Sequence, residues 1–311
     1  MSENAQPPAM AVSDSQNPYL WKLLPKWLRP YGELARWDRP IGTWLLLLPS
    51  LWGITLSAHN IGDTPDWRLM VLFTLGAFVM RGAGCCYNDI LDRKMDAKVP
   101  RTQNRPLASG RLTVKHAATF LALQSLIGLL ILLQLDMLAI YLGFASITLL
   151  LLYPLMKRLT HFPQFFLGFA MNWGVLLGWG CVDTRLSEVA WFLYIGGIFW
   201  TLGYDTIYAE QDKAADKKAG IKSTALFFGK HSRFYIALSY LISFVMMVAA
   251  GTICALGPFF YLAMLAVGAH FIWQVARFRP NDGAVCLSLF RSNRNLGVLV
   301  LGAILLGFIG R

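Results

Sequence analysis

The chain has 311 residues, 56% of them hydrophobic and 14% charged, and a mean hydropathy of +0.49. That balance excludes an ordinary soluble domain and points to an all-α, polytopic membrane protein in which apolar runs of about 18 or more residues cross the bilayer. The net charge of +11 comes with no zinc-finger spacing and no detached basic domain, so it is assigned to cytoplasmic loops and not to nucleic acid.

Residues 1–18 are polar and proline-containing, and they read as a disordered cytoplasmic tail before a single transmembrane domain over 19–311. They lack the arginine of a mitochondrial transit peptide and the apolar core of a signal peptide, so a bacterial inner membrane is expected. From Tyr19 to Arg39, Trp21, Leu23, Leu24, Trp27 and Leu28 alternate with Lys22, Lys26 and Arg29. The pattern predicts an amphipathic helix lying on the membrane surface.

Nine apolar segments follow, at about 41–58, 69–91, 114–134, 137–156, 163–182, 189–210, 233–252, 256–276 and 295–310. The third and fourth are separated only around Gln134-Leu135-Asp136 and predict a hairpin. With the N-terminus in the cytoplasm, 24 of the 28 lysines and arginines fall on the cytoplasmic side. Only Arg68, Arg185 and Arg311 fall opposite, and Arg81 lies within a segment. This bias predicts nine spans, N-terminus inside. The five cysteines form no CxxC pair and read as reduced packing residues. The five histidines make no HxxxH pattern, so zinc and haem have no obvious ligands.

The second segment ends in RGAGCCYNDILDRKMDAKVPRTQNRPLASG, from Arg81 to Gly110. On a helix turning about 100° per residue, Asn88, Asp92 and Asp96 form one stripe, with Arg81 two turns deeper on the same face. The sixth segment ends in YDTIYAEQDKAAD, where Asp205, Asp212 and Asp216 form a second stripe. A lone DxxxD reads most simply as a solvated helix end. Two carboxylate stripes at cytoplasmic helix ends repel themselves unless a cation sits among them. Hard oxygen ligands favour Mg²⁺ shared with a phosphate-bearing substrate. A transporter with a carboxylate ion path is the rival reading, but transporter sites lie at midplane, and a transporter has no reason for RTQNRP directly after the first cluster.

These residues resemble the two signatures of the UbiA family of intramembrane prenyltransferases. The first is NDILDRKMD followed by RTQNRPLASG, and the second is YDTIYAEQDKAAD followed by GIKST. Further likeness lies in Trp37-Asp38-Arg39-Pro40-Ile41-Gly42, in Tyr153-Pro154 through Lys157-Arg158, and from Leu289 to Gly297. It covers the chain from about Trp37 onward, and its wording is that of the branch acting on 4-hydroxybenzoate in ubiquinone biosynthesis.

The resemblance implies a bundle of two related four-helix halves plus one helix. It also implies Mg²⁺-dependent transfer of a polyprenyl group from polyprenyl diphosphate to the ring carbon ortho to the hydroxyl of 4-hydroxybenzoate, with release of pyrophosphate. Naphthoate and homogentisate are the alternative acceptors. Asn88, Asp92, Asp96, Asp205, Asp212 and Asp216 are the expected metal ligands, with Asp92, Asp205 and Asp212 carrying turnover. Arg101, Arg105, Lys157, Arg158 and Lys222 are expected on the diphosphate. Arg81, Asp89 and Tyr204 are expected on the aromatic acceptor, Arg81 because a buried arginine needs a partner and a benzoate needs a two-pronged donor. The same arginine has a plainer reading, a salt bridge to Asp89 or Asp92. The aromatics Phe169, Trp173, Phe199 and Trp200 are candidates to line an isoprenoid path, and no protein partner is evident.

Overall fold

The computed structural model describes residues 23–99, 102–214, 217, 220 and 222–309. Among these residues every regular element is helical. A short helix α1 (Arg29–Leu34) precedes α2 (Ile41–Asn60), α3 (Trp67–Asp96), α4 (Val114–Leu132), α5 (Met137–Leu159), α6 (Pro163–Trp179) and α7 (Glu188–Ala209). The short α8 (Thr224–Phe228) leads into α9 (Ser232–Ile253), α10 (Pro258–Arg277) and α11 (Gly283–Leu306).

Local chemistry starts the helices where the sequence places their signals. Asp66, Thr113 and Asp282 accept from backbone N–H groups in the first turns of α3, α4 and α11. Pro163 and Pro258 open α6 and α10, where a missing N–H costs nothing. Tyr19–Arg39 is not one surface helix over its described part. The chain breaks around Pro25 and restarts as α1 with Pro30 in its first turn, with Leu23 and Trp27 strongly exposed.

Seven of the helices, α2 to α5 and α9 to α11, are long and apolar enough to cross a membrane. The other two of the nine expected spans, α6 and α7, bury most of their side chains inside the bundle. A helix enclosed by protein needs no uniform apolar surface for lipid. The chain is a multi-pass helical membrane protein. Its outer belt carries exposed Leu123, Leu126, Leu130, Phe144, Leu262, Leu265 and Ile272, which suit acyl chains and not water.

The core centres on α2 and α7. Trp52 of α2 and Trp200 of α7 lie 5.1 Å apart, centroid to centroid, and both are fully buried. Backbones approach closely where α2 crosses α6. A Cβ on Gly53 would collide with the Val175 carbonyl, and one on Gly178 with the Ser50 carbonyl. Small residues permit this contact, the main attraction between helices where lipid is as apolar as leucine.

The hairpin reading of α4 and α5 is right about the short turn, although α4 packs mainly on α3 and α5 mainly on α6. The last helix begins at Gly283 and not near 295. Arg291, Asn293 and Arg294 lower the local hydropathy, yet Asn293 is fully buried and hydrogen-bonded to Trp200 and Gln274. Arg291 and Arg294, counted as loop charges, therefore lie well inside a helix, so Arg81 is not alone in that. All five cysteines are buried.

Candidate active site

A cavity of about 320 Å³ opens where the ends of α2, α3, α5, α6, α7 and α11 converge. Its charged wall holds Arg36, Arg39, Arg81, Asn88, Asp89, Arg105, Asp205 and Arg291, and Leu45, Met171, Leu287 and Phe290 supply the apolar wall. Pro154 in α5 also lines it, beside Leu150, whose carbonyl loses its helical donor to the proline.

The whole acidic part of the first motif, NDILDRKMD, is helical, because α3 runs unbroken to Asp96. Each of its carboxylates meets basic side chains brought from elsewhere in the chain. Asp92 accepts from Lys157 Nζ and from Arg158 at 3.3 Å. Asp89, 1% exposed, accepts from Arg36 at 2.7 and 2.9 Å and from Arg105 at 3.2 Å. Asp96 pairs with Arg105 at 2.8 Å. The plainer reading of Arg81, a salt bridge to Asp89 or Asp92, is therefore not what forms. Its Nε is buried without a hydrogen-bond partner, and it packs so closely on Gly42 that a Cβ there would collide with the guanidinium.

Arg36 holds its place at a conformational cost. It sits at φ 61°, in the left-handed region usually left to glycine. The backbone closes α1 by the Trp37 N–H to Gly32 carbonyl and Arg36 N–H to Glu33 carbonyl bonds of a Schellman motif. Burial opposes the Arg36 charge most, but the field and hydrogen bond of Asp89 together with Cys85 and Asp38 raise the guanidinium above its ordinary value.

The second motif is built differently. Asp205 and Asp212 do not share one continuous helix, since α7 ends at Ala209 and the chain turns at Glu210–Asp212. Buried Glu210 holds that turn, bound to Lys213 at 3.0 Å and to Ser232 at 2.8 Å. Asp205 faces the cavity, and the fields acting on it come from Arg81 and, repulsively, from Asp212.

Of the expected site residues, Arg81, Asn88, Asp89, Arg105, Tyr204 and Asp205 line the cavity. Asp92, Asp96, Lys157 and Arg158 stand behind the wall in ion pairs, and Asp212 lies in the turn beyond it. Lys222 bonds through its amide to the Lys157 carbonyl and through Nζ to the Leu159 carbonyl, which fastens the end of α5. Arg101 and Asp216 lie outside the described residues. Phe169, Trp173, Phe199 and Trp200 are not in the wall, and Trp200 is core. Arg36, Arg39, Tyr153 and Arg291 were not singled out from sequence. The stretches Trp37–Gly42 and Leu289–Gly297 and the Tyr153-Pro154 pair marked the neighbourhood of all four.

Among the described residues no three His, Cys, Asp or Glu side chains converge as a ready metal cage. The donor set nevertheless suits a hard cation, because Asn88, Asp89 and Asp205 present oxygen atoms to the cavity.

The UbiA prenyltransferase family model matches residues 46–299. The chain is 44% identical over 285 residues to the mitochondrial 4-hydroxybenzoate polyprenyltransferase of Arabidopsis thaliana, covering 91% of this chain and 70% of that one. It is 43% identical over 275 residues to the 4-hydroxybenzoate octaprenyltransferase of Vibrio vulnificus, covering 88% and 96%. Its fold is similar to that of a UbiA homolog from Archaeoglobus fulgidus solved with GPP and Mg²⁺, at a TM-score of 0.67 and 18% identity, over 90% and 98% of the two chains. Two acidic motifs on a helical bundle, a cavity between them and a matched span of this length together establish that the chain belongs to the UbiA prenyltransferase family.

Proposed function

We propose that this protein transfers a polyprenyl group from polyprenyl diphosphate to the ring carbon ortho to the hydroxyl of 4-hydroxybenzoate, releasing pyrophosphate, in ubiquinone biosynthesis. The observation that carries the proposal is a single cavity joining a charged wall to an apolar one, with the buried, unpartnered Nε of Arg81 in the charged part. A benzoate carboxylate supplies the planar two-pronged partner that such an arginine lacks. The names of the Arabidopsis and Vibrio relatives support the same acceptor.

Asn88, Asp92, Asp96, Asp205, Asp212 and Asp216 would hold Mg²⁺, the ion with which the Archaeoglobus homologue was solved. The ion supplies neutralisation of the diphosphate and of the departing pyrophosphate. Arg101, Arg105, Lys157, Arg158 and Lys222 serve the diphosphate, with Arg36 and Arg39 beside it. The basic groups that neutralise Asp89, Asp92 and Asp96 exchange a carboxylate partner for a phosphate oxygen, so the charged wall is balanced in both states. As the allylic C–O bond breaks and pyrophosphate departs, the ring held by Arg81, Asp89 and Tyr204 attacks the allylic carbon through its ortho position, and the ortho proton then leaves to an oxygen of the released pyrophosphate. Met171, Leu287 and Phe290 keep water from the cation.

In the membrane, α2 to α7 and α9 to α11 make nine crossings as two four-helix halves plus one helix. The N-terminus and both motifs lie in the cytoplasm of a bacterium, and residues 19–311 form one domain. Cysteine labelling at Ser109 and Lys217 is expected from the cytoplasmic side and at Asp183 from the other. Labelling of Lys217 and Asp183 from one side overturns nine spans. The function itself is tested by offering membranes 4-hydroxybenzoate, a naphthoate or homogentisate with polyprenyl diphosphates of several lengths. Prenylation of another acid with none of 4-hydroxybenzoate refutes the assignment.

A further inference from the structure

A line of polar side chains crosses from α6 to α7 inside the packed interior. Asn172 and Thr201 are fully buried. Asn172 Nδ2 donates to the Gly168 carbonyl at 2.9 Å and to Thr201 Oγ1 at 2.8 Å. A carbonyl only accepts, so the orientation of the amide is set and both its protons are committed. Its Oδ1 is buried without a partner against Gly197, where a Cβ would collide with it.

Thr201 Oγ1 receives one of those protons and donates its own to the Tyr204 hydroxyl oxygen at 3.1 Å. Tyr204 therefore accepts from the protein, and its own proton has no acceptor among the described residues. The ring is 1% exposed, lines the cavity, and is held edge-on by Trp200 and Phe290 at 5.1 and 5.7 Å. A buried donor left unsatisfied is costly, so its partner must enter with a ligand. A diphosphate has its counter-charges at Arg36, Arg39 and Arg105. Tyr204 instead shares the wall with Met171, Leu287 and Phe290, which suit an aromatic ring.

We propose that Asn172 and Thr201 are positioning residues that make Tyr204 a one-way hydrogen-bond donor to the phenolic oxygen of the aromatic acceptor, selecting hydroxyl over amino at that ring position. This deepens the proposed function and rests on its choice of acceptor. A phenolic oxygen keeps a lone pair for such a donor, whereas an aryl amine delocalises its only pair into the ring. Site polarity of this kind turns one hydrogen bond into substrate discrimination.

The test compares kcat/KM for 4-hydroxybenzoate and 4-aminobenzoate at saturating polyprenyl diphosphate. Tyr204→Phe is expected to lower the hydroxyl-over-amino ratio about three- to tenfold, the worth of one hydrogen bond. The KM for the diphosphate should stay constant. Thr201→Val should move the ratio the same way, and Thr201→Ser, which keeps the O–H, should restore it. An unchanged ratio in Tyr204→Phe, or equal loss in the Val and Ser variants, overturns the relay. Failure of the unaltered protein to prenylate 4-hydroxybenzoate overturns the acceptor assignment first, and the relay with it. Where a variant does not accumulate, the unaltered protein still decides by competitive inhibition. There 4-methoxybenzoate should bind at least about threefold more tightly than 4-ethylbenzoate, which has the same shape without the oxygen. Equal inhibition refutes the donor role.

Discussion

The two acidic motifs look alike in sequence and differ in electrostatics. In the first, Asp89 and Asp92 are neutralised by Arg36, Lys157 and Arg158 from distant parts of the chain, and Asp96 by Arg105 nine residues on. In the second, Asp205 stands in the cavity wall with its cation, Arg81, acting through space and Asp212 opposing it. The described carboxylates of the first cluster are ion-paired within the protein, whereas in the second Asp205 faces the cavity with Arg81 as the nearby cation. The first motif is therefore also part of what holds the fold together, while the second is poised chiefly for a ligand.

The largest effect expected from this contrast is on turnover. Asp205→Asn should lower it by on the order of 10²–10³-fold, as loss of an electrostatic stabiliser does. It should also abolish the rise in melting temperature given by Mg²⁺ with pyrophosphate. Chelation by EDTA should remove activity from the unaltered protein reversibly. Asp92→Asn should lose turnover as well, but with a lower Tm, because Lys157 and Arg158 lose their shared partner. Near-normal turnover in both variants would end the metal role of the stripes, and an unchanged Tm in Asp92→Asn would erase the distinction between them.

Stability comes next. Arg36→Ala leaves the buried Asp89 carboxylate with only its 3.2 Å contact to Arg105 and is expected to cost roughly 3 kcal/mol, read from denaturation in detergent. Arg36→Gly should recover about 1 kcal/mol of that by relieving the left-handed backbone, without recovering activity. Equal stability of the two variants would mean that φ 61° carries no strain.

Smaller effects separate the two substrates. Lys157→Met is expected to raise the KM for polyprenyl diphosphate about tenfold, the worth of one charged hydrogen bond, with little change for the aromatic acid. Arg81→Lys should do the reverse, raising KM for the aromatic acid alone. A rise confined to the diphosphate would move Arg81 to the phosphate site. Smallest of all, Gly42→Ala should push the Arg81 guanidinium aside and raise the acid's KM by about fivefold, the cost of mild overpacking. No change there would show that the packing of Arg81 on Gly42 does not set its aim.

Much of the site was legible because its residues sit in runs. Arg81, Asn88, Asp89 and Arg105 fall within one stretch, and Tyr204 and Asp205 within another. All six reach the cavity. Arg36 and Arg291 were not legible, because each resembles an ordinary loop charge until its neighbours are known. The start of α11 was missed for a related reason, since hydropathy scores Asn293 as a break while Trp200 and Gln274 satisfy it in the interior.

Helix content, membrane class and the two motifs follow from the sequence by itself, because hydropathy, period and caps depend on residues close together in the chain. Tertiary structure alone decided which cation meets which carboxylate. Arg36 reaches Asp89 across 53 residues and Lys157 reaches Asp92 across 65. It also broke the second stripe after Ala209 and turned Tyr204 into a donor through Asn172 on another helix. Each of these depends on side chains that only packing brings within a few ångströms, where Coulomb energy and hydrogen-bond direction choose the partner.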